Sequence, residues 1–261
     1  MSSNSLETPG IPVLGDAPAD APKHKFILRP MRFSDIHTLG VYTAEAYAGT
    51  PVMDFLAQKA HHDHHIFIRG FRQNIWERIT SNQHLNLVAC VASDPNTPIG
   101  YGQFVRKGNA TNYSQSSGVE KWIMLLLSWV IGAYFLVEHR LWPNLTCDKD
   151  ALKMFEGSSG LDTKRYWTAH PERANRWHAQ SIIVAQKWQG KGVGRLILSE
   201  ALSRAKEENV VMGLTSSPMG EKLYRKMGFQ MLGDYTYRVG GDVGGGIMMW
   251  SPQGTEDVKS K

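Results

Sequence analysis

The sequence predicts a mixed α/β fold built on seven strands, and three observations carry that prediction. An apolar strand-like segment, Ala179 to Ala185, runs into a glycine-rich turn and then a helix-like segment, Arg195 to Glu208. A second strand-and-helix pair, Val210 to Leu214 and Met219 to Met227, follows directly. Ahead of both, Leu85 to Ala92 and Ile99 to Val105 read as two adjacent strands preceded by helical periodicity. The 261 residues suit one domain, or one domain with an insertion, and 42% hydrophobic with 20% charged residues is the composition of a soluble globule.

Taken in order, residues 1–24 are rich in Pro, Ser, Ala and Asp. They lack the basic and apolar regions of a secretory signal, so a disordered tail is expected. Lys25 to Pro30 reads as a short strand, Phe33 to Ala48 as a helix, and Ile66 to Ile79 as a second helix with Ile68, Phe71, Ile75 and Ile79 on one stripe. The two strands that follow are expected to be antiparallel, joined by a turn at Asp94-Pro95-Asn96-Thr97-Pro98. After the second strand-and-helix pair, Gln230 to Arg238 and Gly245 to Trp250 supply the last two strands, and residues 253–261 form a C-terminal tail.

The turn Gln189-Gly190-Lys191-Gly192-Val193-Gly194 is where chemistry is expected. The first N–H groups of a helix have no partner within it, and the helix dipole adds partial positive charge there. A glycine turn lets a phosphate approach those groups. No Walker string G-x-x-x-x-G-K-[ST] occurs in the chain. A dinucleotide fingerprint fails at its third glycine, where Arg195 stands, and no acidic residue lies in the segment Val210 to Thr215. The pattern [QR]-x-x-G-x-[GA] is filled by Gln189, Gly192 and Gly194.

Farther on, Leu223-Tyr224-Arg225-Lys226-Met227-Gly228-Phe229 fits L-Y-x-x-x-G-F, and Ser217-Pro218 opens S-P-x-G-x-x-L-Y. With these motifs in this order, the C-terminal part resembles the GNAT N-acetyltransferase superfamily, most closely small fungal GNAT-domain proteins. The resemblance implies a strongly bent mixed seven-stranded sheet with flanking helices, across residues 25–252. It implies acetyl-CoA as co-substrate, and transfer of the acetyl group to an amine by direct attack in a ternary complex. The pyrophosphate would sit on Gln189, Gly190, Lys191, Gly192, Val193, Gly194 and Arg195. The pantetheine arm would pair with Ile182, Ile183 and Val184, and Ser217 would complete the cofactor site. Tyr224 would be the catalytic residue, donating to the departing thiolate. The general base is unread: His178 on the strand and Glu45 on the first helix are the candidates. The rival reading is an acyl-CoA-binding module without catalysis.

Residues 107–176 stand between the third strand and the strand entering the loop, and are expected to be an insertion. Within it, Gly108 to Gly118 is polar, whereas Trp122 to Val137 is almost continuously apolar with charged flanks. Sixteen residues fall short of the ~20 that span a bilayer. The expectation is a helix packed on the domain and lining the acceptor pocket. A helix against a membrane surface or a partner, or a true span, are the alternatives. Trp142-Pro143 and Trp167 are expected to pack within the insertion.

The net charge of +5 suits a phosphate-bearing cofactor, but no recognition pattern accompanies it, so no nucleic acid partner is expected. A small-molecule or peptide amine is the expected partner, and oligomeric state is unread. His61-His62-Asp63-His64-His65 is too compressed for a tetrahedral site, and no metal is expected. Two cysteines, Cys90 in an apolar run and Cys147 in a polar one, suit a reducing compartment: the cytoplasm, or the nucleus.

Overall fold

A computed structural model of the chain describes residues 24–57, 63–108, 118–144, 146–238 and 244–252. The two tails, His61 and His62, most of the polar segment Gly108 to Gly118, and the glycines Gly240 and Gly241 lie outside the described residues.

The strands are β1 (Phe26–Pro30), β2 (His84–Val91), β3 (Asp94–Lys107), β4 (Arg176–Val184), β5 (Val211–Ser216), β6 (Gln230–Gly233) and β7 (Gly246–Trp250). They form one sheet in the order β1-β2-β3-β4-β5-β7-β6. Every neighbouring pair is antiparallel except β4 and β5, which run parallel. The helices are α1 (Ile36–Tyr47), α2 (Pro51–Leu56), α3 (His64–Ile79), α4 (Val119–Leu141), α5 (Lys149–Thr163), α6 (Val193–Glu207) and α7 (Pro218–Lys226).

Alternation along the strands sends side chains to two cores. On one face Leu85, Leu87, Phe104, Trp177, Met212, Leu214 and Met248 pack against α6 through Val193, Ile197, Leu198, Ala201 and Ala205. On the other, Val88, Cys90, Tyr101 and Ile183 meet Ile36 and Leu39 of the first helix and Ile75 of α3. Trp177 Nε1 and Arg106 Nε both donate to Glu208, at 3.0 and 2.7 Å, and so fix the end of α6 against β3 and β4.

Several predicted boundaries move, each for a local reason. The reversal between β2 and β3 is at Ala92–Ser93. Asp94 already pairs with Val91 and Pro98 with Cys90. The prolines and the Thr97 N–H, which donates to Asp94 Oδ1 at 3.3 Å, make an irregular rim where a turn was expected. β6 stops at Gly233, short of Arg238. Beyond it the chain leaves the sheet, and the Thr236 N–H donates to Asp162 of α5 at 2.7 Å. The one-turn-and-a-half helix α2 was not expected. It starts at Pro51, with Thr50 Oγ1 accepting from the Met53 N–H as N-cap.

Among its described residues the insertion holds two helices, a π-turn at Lys164–Thr168, and a 3₁₀ turn at Pro171–Arg173. The π-turn brings Trp167 flat over Gly213 of β5. A Cβ there would lie 2.3 Å from the indole, so only glycine admits this packing. Trp167 is thus buried as expected, whereas Trp142 is largely exposed.

Candidate active site

At the end of β4 the chain makes a 3₁₀ turn at Gln186–Trp188, and the Gln189 side chain reaches back to donate to Val184 O at 3.0 Å. That bond sets the direction in which residues 190–194 leave the sheet. Gly190 and Gly192 take φ of +74° and +90°, and Gly192 is the N-cap of α6. A side chain at a left-handed position is strained. Leu196 N finds Gly192 O at 3.0 Å, so the N–H groups of Val193, Gly194 and Arg195 precede the first helical bond. Orphan donors at the positive end of a fifteen-residue helix make an anion seat. Lys191 and Arg195 are exposed at its rim, and the Lys191 ammonium stands 4.8 Å from the Trp188 ring.

β4 and β5 pair only from Arg176 with Val211 to Ala179 with Leu214. Beyond that point Ser181 to Val184 pairs with β3 alone, and Thr215 and Ser216 pair with β7 alone. The sheet therefore opens in a V whose mouth faces the glycine loop. It leaves the β5-facing backbone groups of Ile182 and Val184 without a strand partner, whereas those of Ile183 are directed to β3. Gln180 is an extra residue opposite β3, a bulge: Gln103 pairs with Ser181 and Phe104 with Ala179. The bulge reverses the facing of β4, so that His178, Ser181 and Ile183 share the face away from α6.

Tyr224 stands on α7 beside this opening, packed against the α6-side core and 5.8 Å from the Phe229 ring. Among the described residues its hydroxyl has no hydrogen-bond partner. Burial, with the neighbouring phenols of Tyr47 and Tyr235, pushes its pKa up to about 12. Ser217 is the N-cap of α7, its hydroxyl accepting from the Gly220 N–H at 3.2 Å.

On the face away from α6, a cavity of about 100 Å³ lies between the sheet and α5. His178, Thr215 and Ile247 form its floor, and Ser158, Asp162 and Tyr235 are among its walls. His178 Nδ1 is sealed from solvent and has no partner. Burial first, and then the charges of Arg176 and Lys107, lower its pKa to about 3. Asp162 is buried and accepts from the Thr236 N–H and hydroxyl.

Residues 168–242 match the family model of the acetyltransferase (GNAT) domain. That stretch of the chain resembles a GNAT domain. A crystal structure of histone acetyltransferase HPA2 and related acetyltransferase from Corynebacterium glutamicum shares 16% identity, covers 87% of this chain and 96% of its own, and superposes with a TM-score of 0.53. The PaiA N-acetyltransferase of Thermoplasma acidophilum, solved with coenzyme A, shares 14% identity over 87% of this chain and 99% of its own, with a TM-score of 0.46. A spermidine N-acetyltransferase SpeG chimera from Vibrio cholerae and hSSAT shares 14% over 90% and 99%, at 0.47. No curated protein sequence matches the chain.

The fold thus brings Gln189 to Arg195, Ile182 to Val184 and Tyr224 to one opening. Ser217 stands at the start of α7. Glu45 is exposed on α1 and is not among the cavity's lining residues. The apolar segment Trp122 to Val137 does not line the cavity; α5 does, through Phe155, Ser158 and Asp162. The expected packing of that segment fails as well: within α4 only Phe135 is buried. Sequence reading missed Arg78, whose Nη1 donates to Ser181 Oγ at 2.9 Å and to Gln103 Oε1 at 3.3 Å, and missed Tyr47 and Tyr235 beside Tyr224. These three residues come from distant stretches, and no local motif joins them. Among the described residues no cluster of His, Cys, Asp and Glu could hold a metal ion.

Proposed function

We propose that the chain transfers an acetyl group from acetyl-CoA to an amine by direct attack in a ternary complex. The observation that carries this reading is the V-shaped gap between β4 and β5, whose mouth meets the N-terminus of α6. The gap offers backbone groups of Ile182 and Val184 that lack a strand partner to the amides of a pantetheine arm, as a partner strand would. The loop at its mouth offers orphan N–H groups to a pyrophosphate. The coenzyme would fill both as one extended molecule, with its pyrophosphate on the loop and its pantetheine arm along β4.

The acceptor then arrives from the face away from α6, where the cavity over His178 and Thr215 is the amine pocket. The amine enters neutral; its nitrogen forms its bond to the thioester carbonyl carbon, the C–S bond breaks with its electron pair on sulfur, and the proton lost by the nitrogen passes to solvent water. Tyr224, protonated throughout the physiological range, donates a hydrogen bond to that sulfur as charge develops. A phenol with a pKa of about 12 stabilises a thiolate better than it protonates one, since an ordinary thiol titrates near 8.5. His178 is too weak a base to take the ammonium proton, so its neutral ring serves as a hydrogen-bonding wall of the pocket.

The test is turnover of acetyl-CoA, read as thiol release, across polyamines, amino acids, arylamines and lysine peptides. The reading expects release with one acceptor class and its loss in Tyr224→Phe. Tight coenzyme binding with no release for any acceptor would instead indicate an acyl-CoA-binding module.

A further inference from the structure

Among the described residues α4 is the one helix long and apolar enough to cross a membrane, and almost none of it is buried in the protein. At 23 residues it is about 34 Å long. Its charged ends are part of the helix, which is why the apolar run alone understated its length. One stripe, Met124, Leu127, Ile131, Phe135 and Glu138, turns toward the domain. The Gln73 side chain donates to Glu138 of this stripe. The rest of the circumference is exposed, including Trp122 at 70%, Leu126 at 67%, Trp129 at 75% and Leu136 at 76%.

We infer that α4 is an in-plane membrane anchor, lying between the catalytic domain on one side and the acyl-chain boundary of a bilayer on the other. This inference is independent of the acetyl-transfer reading. A partner helix would cover one more stripe and leave apolar side chains in water on either side of it. A bilayer covers all the exposed faces at once. The side chains suit the boundary: Trp122, Trp129 and Tyr134 are the aromatic types found at headgroup depth, and Lys121 and Arg140 at the two ends can extend to headgroups. The net charge of +5 adds attraction to an anionic leaflet.

Topology excludes a span. β3 and β4 are hydrogen-bonded neighbours, with Lys107 opposite Arg176, so both ends of the insertion start from one end of the sheet. The chain after α4 is tied to the domain at once: Arg69 donates to Trp142 O at 2.7 Å, and Asp148 N donates to Leu56 O at 2.8 Å. A span would force residues 108–118 back through hydrocarbon, where eleven residues are too few for a second spanning helix and any other backbone would be unsatisfied.

Flotation of the full chain with vesicles of phosphatidylcholine, with and without phosphatidylserine, tests this. The chain should float with both and more completely with phosphatidylserine. The double variant Leu126→Glu/Trp129→Glu should partition more than about tenfold less. Its cooperative melting should match that of the parent, which shows that it folds. Fluorophores on cysteines placed by Ile123→Cys, Val130→Cys and Val137→Cys should be quenched equally by brominated lipid, as one depth requires. Absence of flotation with either vesicle would overturn the inference. So would quenching graded along the helix, or a lipid-free dimer that protects α4 and dissociates in the double variant.

Discussion

Tyr224 shows how packing decides chemistry at a single residue. The ring is fixed by Phe229 and Gly220, and burial keeps its hydroxyl protonated. Tyr224→Phe preserves the packing and removes the donor. Steady-state kinetics should show kcat lower by about 10²-fold or more with little change in the KM for acetyl-CoA; an unchanged kcat would leave Tyr224 a packing residue. His178 makes a pH prediction. Its folded pKa, about 3, lies below the ordinary 6.5 of an unfolded histidine, so below pH 6.5 the unfolded chain binds a proton that the folded chain refuses. The stability due to the neutral ring is therefore complete above pH 6.5 and is lost as pH falls toward 3. Thermal melts over that window should show a shallower acid loss in His178→Gln than in the parent. Tyr224 could be singled out because a seven-residue motif surrounds it. Arg78 and Tyr47 were not, because only the folded sheet brings their elements to β4.

At the scale of elements, the glycine loop makes its own prediction. Gly192→Asp and Gly192→Asn place similar side chains at the same left-handed φ, which Asn and Asp tolerate better than most residues. They differ by one negative charge at the phosphate seat. Calorimetry should find coenzyme binding lost in the aspartate variant and retained, if weakened, in the asparagine variant. Equal binding by both would move the pyrophosphate elsewhere. The far end of α6 is held by Glu208, and Glu208→Ala would remove the carboxylate that accepts from the mostly buried Arg106 Nε and from Trp177 Nε1. Denaturant unfolding should register a loss of about 1–3 kcal/mol. Helix α5 was not legible from the sequence pattern, whereas the strands and the helices α1, α3, α4, α6 and α7 were. Their ends were not, since Asp162 takes the chain out of β6 and the Asp94 carboxylate reshapes a rim expected to be a turn.

Across the whole molecule, the insertion divides its labour. α5 and the π-turn complete the pocket and dock on the sheet, while α4 projects apolar surface outward. The sequence located α4 but not α5, and the segment it expected to line the acceptor pocket stands clear of the cavity over His178. An all-round apolar run reads alike whether protein or lipid covers it. The division predicts that replacing residues 119–141 with a polar linker leaves coenzyme affinity near that of the parent while abolishing vesicle flotation. The central claim concerns the coenzyme, and thermal unfolding with acetyl-CoA measures it most directly. At a hundredfold excess over Kd, the folded chain should gain about 2.7 kcal/mol and melt correspondingly higher. A melting curve unmoved by saturating acetyl-CoA would contradict the account.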